Sequence, residues 1–223
     1  MSTDGTAIER TKEMIRNLKC LGAVLIALLA MSSLASTASA QFESEAESTN
    51  MTVSANAMFK IAPVEGATPV ECTKVAVTGT QTGKSNTTIT LTPTLSSCET
   101  YIGTNVSIRM NGCAFVFHLA KGSTTGTMDI ECPTSAVIEL IAGNICRYTI
   151  GTQTGLSSVS FTNVGAGTTR EIVLEPNVKG LTTVLVTNHF FCPAGGKTGT
   201  ITGSLNLTGE NAAGTTHIGV FVD

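Results

Sequence analysis

The chain has 223 residues, of which 42% are hydrophobic and only 13% charged, with a formal net charge of −3. That charge excludes a nucleic-acid binder, which needs a basic footprint, and so little charge beside many β-branched residues excludes a wholly disordered chain. With 22 Gly, seven Cys, two Tyr and no Trp, the composition bears on compartment and fold class, not on one activity.

Residues 21–35 (LGAVLIALLAMSSLA) form an apolar run of 15, with Arg16 and Lys19 before it and Ala38-Ser39-Ala40 after it. A positive flank, a short apolar stretch and an A-x-A end mark a secretory signal. At about 1.5 Å per residue such a helix falls short of a ~30 Å hydrocarbon core. A cleaved signal-peptide helix over residues 1–40 is therefore expected rather than a retained anchor, whether translation starts at Met1 or Met14. Cys20 precedes the run, whereas a lipoprotein cysteine follows it, so it leaves with the signal. The remaining 183 residues carry nine basic and thirteen acidic side chains. This mild acidity gives no reason to expect affinity for anionic polymers or lipids. Gln41 to Asn50 (QFESEAESTN) is polar and acidic, and residues 41–55 read as a flexible leader. Residues 56–223 read as a single β-rich domain.

From Phe59 onward, short apolar alternations are broken by Gly, Asn, Thr and Pro. Val75 and Val77 open the series, the turn-like Thr80 to Asn86 follows, and Ile89 and Leu91 return. In TITLTPT, Thr88, Thr90, Thr92 and Thr94 share one face about 6.6 Å apart. Regular Thr ladders resemble ice-binding surfaces, but Pro93 interrupts this one, so it reads as an ordinary outer face. Val106 to Met110 alternates, Asn111-Gly112 is a two-residue hairpin signal, and Cys113 to Ala120 follows as its partner strand. Lys121 to Gly126 is the next turn, and Thr127 to Glu131 returns with Met128 and Ile130 inward. Val159 and Phe161, Leu205 and Leu207, and Ile218, Val220 and Val222 continue the spacing of two. Thr supplies 33 of the 183 residues, and its branched Cβ suits a pleated, half-exposed surface. The expected fold is all-β, an antiparallel β-sandwich or a barrel-like sheet. An immunoglobulin core is excluded by the missing Trp.

Six cysteines follow the signal: Cys72, Cys98, Cys113, Cys132, Cys146 and Cys192. No pair has C-x-x-C spacing, and His118, His189 and His217 are scattered, so disulfides are expected and no metal site. The midpoint of Cys113 and Cys132 falls inside the 121–126 turn, and that of Cys72 and Cys98 inside the 80–86 turn. Each pair would then face across a ladder, within disulfide range. Elimination leaves Cys146–Cys192.

Chemistry-bearing motifs are few. Gly79 to Ser85 is one residue short of a phosphate-binding loop and runs into a strand rather than a helix. Gly196-Lys197-Thr198 lacks the first Gly. No G-x-S-x-G elbow exists, and Asp129 and the terminal Asp223 are the only Asp after the signal. His118, on the face opposite Phe115 and Phe117, reads as a strand histidine. Asp129 with Glu131, or Glu171 with Glu175, could pair for glycoside cleavage, but each is also what a solvated strand face looks like. No catalytic residue, cofactor-binding residue or cofactor is assigned.

The runs Met110 to His118, Met128 to Pro133 and Ile201 to Val220 resemble a group of small exported bacterial proteins of unknown function, found as paralogues in actinobacteria. The likeness spans nearly the whole mature chain. It implies an extracytoplasmic β-rich domain and transfers no catalytic residue. The expected function is thus an exported, non-enzymatic domain that binds or builds at the cell surface. Its partner would be a wall component, a protein or its own copies, and it would meet a membrane only through an uncleaved signal. A secreted hydrolase with an unrecognised site is the alternative. Intact mass of the exported protein should place its first residue at Gln41, and a mass that retains residues 21–35 would contradict the leader.

Overall fold

The computed structural model describes residues 40–53, 57–143, 145–187 and 189–223. The expected signal, apart from Ala40, lies outside them. The strands are β1 (Phe42–Ser44), β2 (Ser48–Val53), β3 (Met58–Ala62), β4 (Val70–Thr82), β5 (Ser85–Asn86) and β6 (Thr88–Thr100). There follow β7 (Asn105–Arg109), β8 (Ala114–Leu119), β9 (Thr125–Glu131), β10 (Ile138–Ala142), β11 (Cys146–Ile150) and β12 (Gln153–Val164). The chain ends with β13 (Glu171–Leu181), β14 (Val184–Leu185), β15 (Gly199–Glu210), β16 (His217–Ile218) and β17 (Val220–Val222).

Of the two expected architectures, the chain forms a barrel. Neighbours run β6-β8-β9-β12-β13-β15, then β2 and β3, each bridging β15 to β4, and β4 returns to β6. This closes an eight-stranded antiparallel barrel, a size whose interior side chains can fill. The inward positions are those spaced by two in the sequence: Val77, Ile89, Leu91, Met128, Ile130, Val159, Phe161, Leu205 and Leu207 are all buried. Five phenylalanines run through the core in contact: Phe59–Phe115 at 5.8 Å, Phe115–Phe117 at 6.5 Å, Phe117–Phe161 at 6.4 Å and Phe161–Phe42 at 5.2 Å. Outward, Thr88, Thr90, Thr92 and Thr94 are exposed, as an ordinary Thr face requires.

Residues 42–53 correct the expectation of a flexible leader. Phe42 and Met51 are buried in the core, β1 pairs with β17 and β5, and β2 joins the barrel. The acidic residues that suggested disorder stand at outward or half-buried positions, while Ser44 and Thr49 are buried and bond to each other. Small hydroxyls that satisfy one another can take inward positions without an apolar signature.

The Asn111-Gly112 expectation is corrected too. The turn forms, with φ of 49° and 82° and Cys113 N–H donating to Met110 O at 2.8 Å, yet its flanking strands do not pair. Instead β8 pairs with Thr88 to Leu91 of β6 and with β9, while β7 pairs with Cys98 and Glu99 at the other end of β6 and with β10. The turn carries the chain from one end of a shared edge to the other. Beyond β7 the sheet runs on through β10, β11 and β14 as a flap off the barrel.

All three expected disulfides form: Cys72–Cys98, Cys113–Cys132 and Cys146–Cys192. Cys72 and Cys98 are direct ladder partners, and Cys113 and Cys132 occupy the next position of the β8–β9 register. The third bridge ties the start of β11 to the loop before β15. The β8–β9 pair approaches so closely that a Cβ at Gly126 would overlap the His118 carbonyl. Gly126→Ala should therefore cost about 2–3 kcal/mol in urea unfolding, whereas a cost under about 0.5 kcal/mol would show that the ladder yields freely.

Candidate functional site

The flap turns an apolar inner face toward the core: Ile108, Ile138, Leu140, Tyr148 and Ile150 are buried there. Its far end is only partly roofed. The β3–β4 loop (Pro63, Ala67, Thr68), the turn after β6 (Ile102, Thr104) and Phe191 and Pro193 surround a pocket of about 250 Å³ floored by Val106, Leu140, Ala142 and Tyr148. Every lining side chain is uncharged. The Tyr148 hydroxyl donates to the Pro193 carbonyl at 2.7 Å, and burial raises its pKa above that of a free phenol, so it stays a donor. Cys192, bonded to Cys146 in the pocket wall, anchors the same loop.

The rim is exposed and apolar. Phe190 is 93% accessible, Phe191 75%, Ile102 67% and Ile145 47%. Phe190 meets Phe191 edge-on at 5.3 Å, and His189 stacks on Phe191 at 5.6 Å. Leaving two phenylalanine rings in water costs on the order of 2 kcal/mol each relative to burial. These exposed side chains cluster around the concavity and form a continuous apolar rim with Phe191 in its wall.

On the flap's outer face Glu139 sits between two arginines, bonded to Arg147 and 3.9 Å from Arg109. The Arg147 hydrogen bond, working against burial and helped by the Arg147 and Arg109 charges, holds its carboxyl below the usual range. A depressed carboxylate supports the fold above the ordinary glutamate range, and that support is lost as pH falls through the lowered value. The cluster braces β7, β10 and β11 beneath the pocket.

The polar residues singled out in the sequence meet elsewhere, on the barrel's outer wall. His118 Nε2 lies 3.0 Å from Asp129 Oδ2, a diagonal contact across the β8–β9 ladder. The other carboxylate oxygen accepts from the Gly155 N–H at 2.6 Å. Gly155, with φ of 68°, lies where the β9–β12 register shifts between Gln153 and Leu156. Asp129 thus supplies the acceptor that the interrupted ladder withholds from Gly155. Thr88 and Thr127 stand opposite His118, but no hydroxyl bonds to its ring among the described residues. Glu131 is exposed beyond the pair. Glu175 receives a long bond from Ser160 Oγ, at 3.4 Å. His189 lies at the pocket rim, and His217 on β16 pairs with Glu210 of β15. The histidines remain scattered, and no cluster able to hold a metal occurs among the described residues.

Sequence reasoning missed the pocket. Its one local signal was the Phe190-Phe191 doublet in a turn-rich loop, where an apolar pair has no strand to join. If Asp129 is a structural pin, Asp129→Ala should cost about 0.5–1.5 kcal/mol, the net worth of a hydrogen bond whose Gly155 N–H water can take over. His118→Ala should cost clearly less in the same denaturant titration, and equal costs would shift the weight to the histidine.

Against known protein families, characterised proteins and solved structures, the chain has no match.

Proposed function

We propose that the chain is an exported, non-enzymatic domain that acts by binding, a disulfide-closed barrel whose apolar end meets a partner outside the membrane. The observation that carries this reading is the exposure of Phe190 and Phe191 beside an uncharged pocket. Apolar exposure clustered beside a concavity, on a loop held by a disulfide, supports an interaction site. Export fits the Ala38-Ser39-Ala40 end of the apolar run and the pairing of all six later cysteines, which suits an oxidising compartment.

A secreted hydrolase is the second reading, favoured by the His118–Asp129 contact. Its weakness is chemical. The Asp129 oxygens are spent on His118 and the Gly155 backbone, no nucleophile bonds to the histidine among the described residues, and the pair lies on the outer wall of a barrel rather than in a cleft.

The exported protein, immobilised and challenged with wall and secreted fractions of its producing cell, should retain a partner or further copies of itself. Phe190→Ala/Phe191→Ala should fold as the wild type does and weaken that retention tenfold or more, about 1.4 kcal/mol. Equal retention by both proteins overturns the reading. Turnover of an ester, amide or glycoside that His118→Ala abolishes would establish the rival.

A further inference from the structure

Building on the binding role proposed above, we infer that the partner at the apolar end is a second copy of this chain, with Phe190 of each copy seated in the pocket of the other. Three observations lead there. The first is self-complementarity. A projecting aromatic side chain, 93% exposed, stands beside a pocket of about 250 Å³ on the same end of the molecule. Engineered cavities of about 150 Å³ already take benzene, so a phenyl ring fits with room for its Cβ. Knob and hole on one surface are what a two-fold, isologous contact needs, since each copy gives and receives the same group.

The second observation is area. Ile102, Ile145, Phe190 and Phe191 are exposed by 67, 47, 93 and 75%. At ~200 Å² for a large side chain they offer roughly 560 Å² of surface. That is the upper end of the largest apolar patch on a typical monomer, about 300–600 Å², and over half of the ~800 Å² that each partner brings to a standard interface.

The third is charge. No charged side chain lines the pocket, so seating a phenyl ring in it desolvates no charge.

Sedimentation velocity of the exported protein, expressed from Met1 and purified after processing, should show a monomer–dimer equilibrium between about 1 and about 100 µM. Phe190→Asp removes the knob at a site with no core contact to lose. Ala142→Phe fills the hole from the flap's inner face, and Ile102→Asp replaces it should that variant not fold. Each alone should weaken dimerisation at least tenfold. Mixed, the knobless and hole-filled chains should form a heterodimer, because together they keep one complete contact, and general stickiness would not restore it. The proposal is overturned by a wild type that stays monomeric, or by a Phe190→Asp protein that dimerises like it. N-phenyl-1-naphthylamine separates the two failures. A monomer that binds this neutral probe, with binding lost in Ala142→Phe, overturns self-association but leaves the binding surface standing. A monomer that does not bind it overturns both. Co-flotation of the wild type with phosphatidylcholine vesicles, lost in Phe190→Asp, would assign the surface to a membrane and overturn the dimer.

Discussion

One edge of β6 is shared between two strands, and the rest of the molecule follows from that sharing. Along its other edge β6 pairs with β4 from Val70↔Thr100 to Gly79↔Leu91. On the shared edge β8 holds the Thr88 end and closes the barrel, while β7 holds the Cys98 end and starts the flap. Ser97, with φ of 51°, marks the break between the two pairings. Next to it Cys98 is bonded to Cys72 on β4, so the strand is pinned where its two duties diverge. A sheet that splits there has to carry an apolar face beyond the barrel mouth, and the pocket is the part of that face the loops do not cover.

Closure and filling support each other. A barrel has no free edge, but eight strands leave an interior that must be packed side chain against side chain. The phenylalanine run from Phe59 to Phe42 does this along the barrel and reaches out of it, because Phe42 belongs to β1 in the small β17-β1-β5 sheet. Gln81 Nε2 donates to the Phe42 carbonyl from within the buried layer, and Gln41 and Asp223 exchange backbone bonds at 3.1 and 3.0 Å. The two ends of the described chain therefore lie side by side over one end of the barrel, far in topology from the flap.

Much of the architecture was legible because antiparallel ladders keep a constant sum of residue numbers. The connection centred on residue 85 and the turn at 121–126 set those sums, and the cysteines that shared them had to face each other. Residues 80–82 and Ser85–Asn86 nonetheless fold as strand residues paired with β2 and β1 rather than as a turn. The same arithmetic failed at Asn111-Gly112, where the local turn is right and the pairing belongs to β6. Turn chemistry speaks for four residues, and long-range pairing can overrule it. The β1–β2 segment was illegible for another reason: its inward hydroxyls, Ser44 and Thr49, satisfy each other and leave no apolar period to read. His118 and Asp129 were both readable as outward-facing, but their contact is diagonal, and the bulge at Gly155 that occupies Asp129 leaves no trace in the residues around Asp129. The pocket was least legible of all, since its walls come from the β3–β4 loop, the turn after β6, the flap and the 191–193 loop, which meet only in the folded chain.

The third disulfide differs from the other two in what it holds in the folded chain. Cys72–Cys98 and Cys113–Cys132 staple strands that already pair, beside ladders of the barrel. Cys146–Cys192 instead holds a loop that buries little: Phe190, Phe191 and Pro193 all face solvent. Cross-linking there, with the Tyr148 hydroxyl bonded to Pro193 and the Glu139 cluster bracing the strands beneath, ties the loop that carries the two exposed rings to β11. Pre-ordering a side chain before association removes an entropic cost of about 0.5–1.5 kcal/mol per immobilised group. The same bridge closes the longest of the three disulfide loops, 46 residues against 26 and 19, so it also constrains the unfolded chain most.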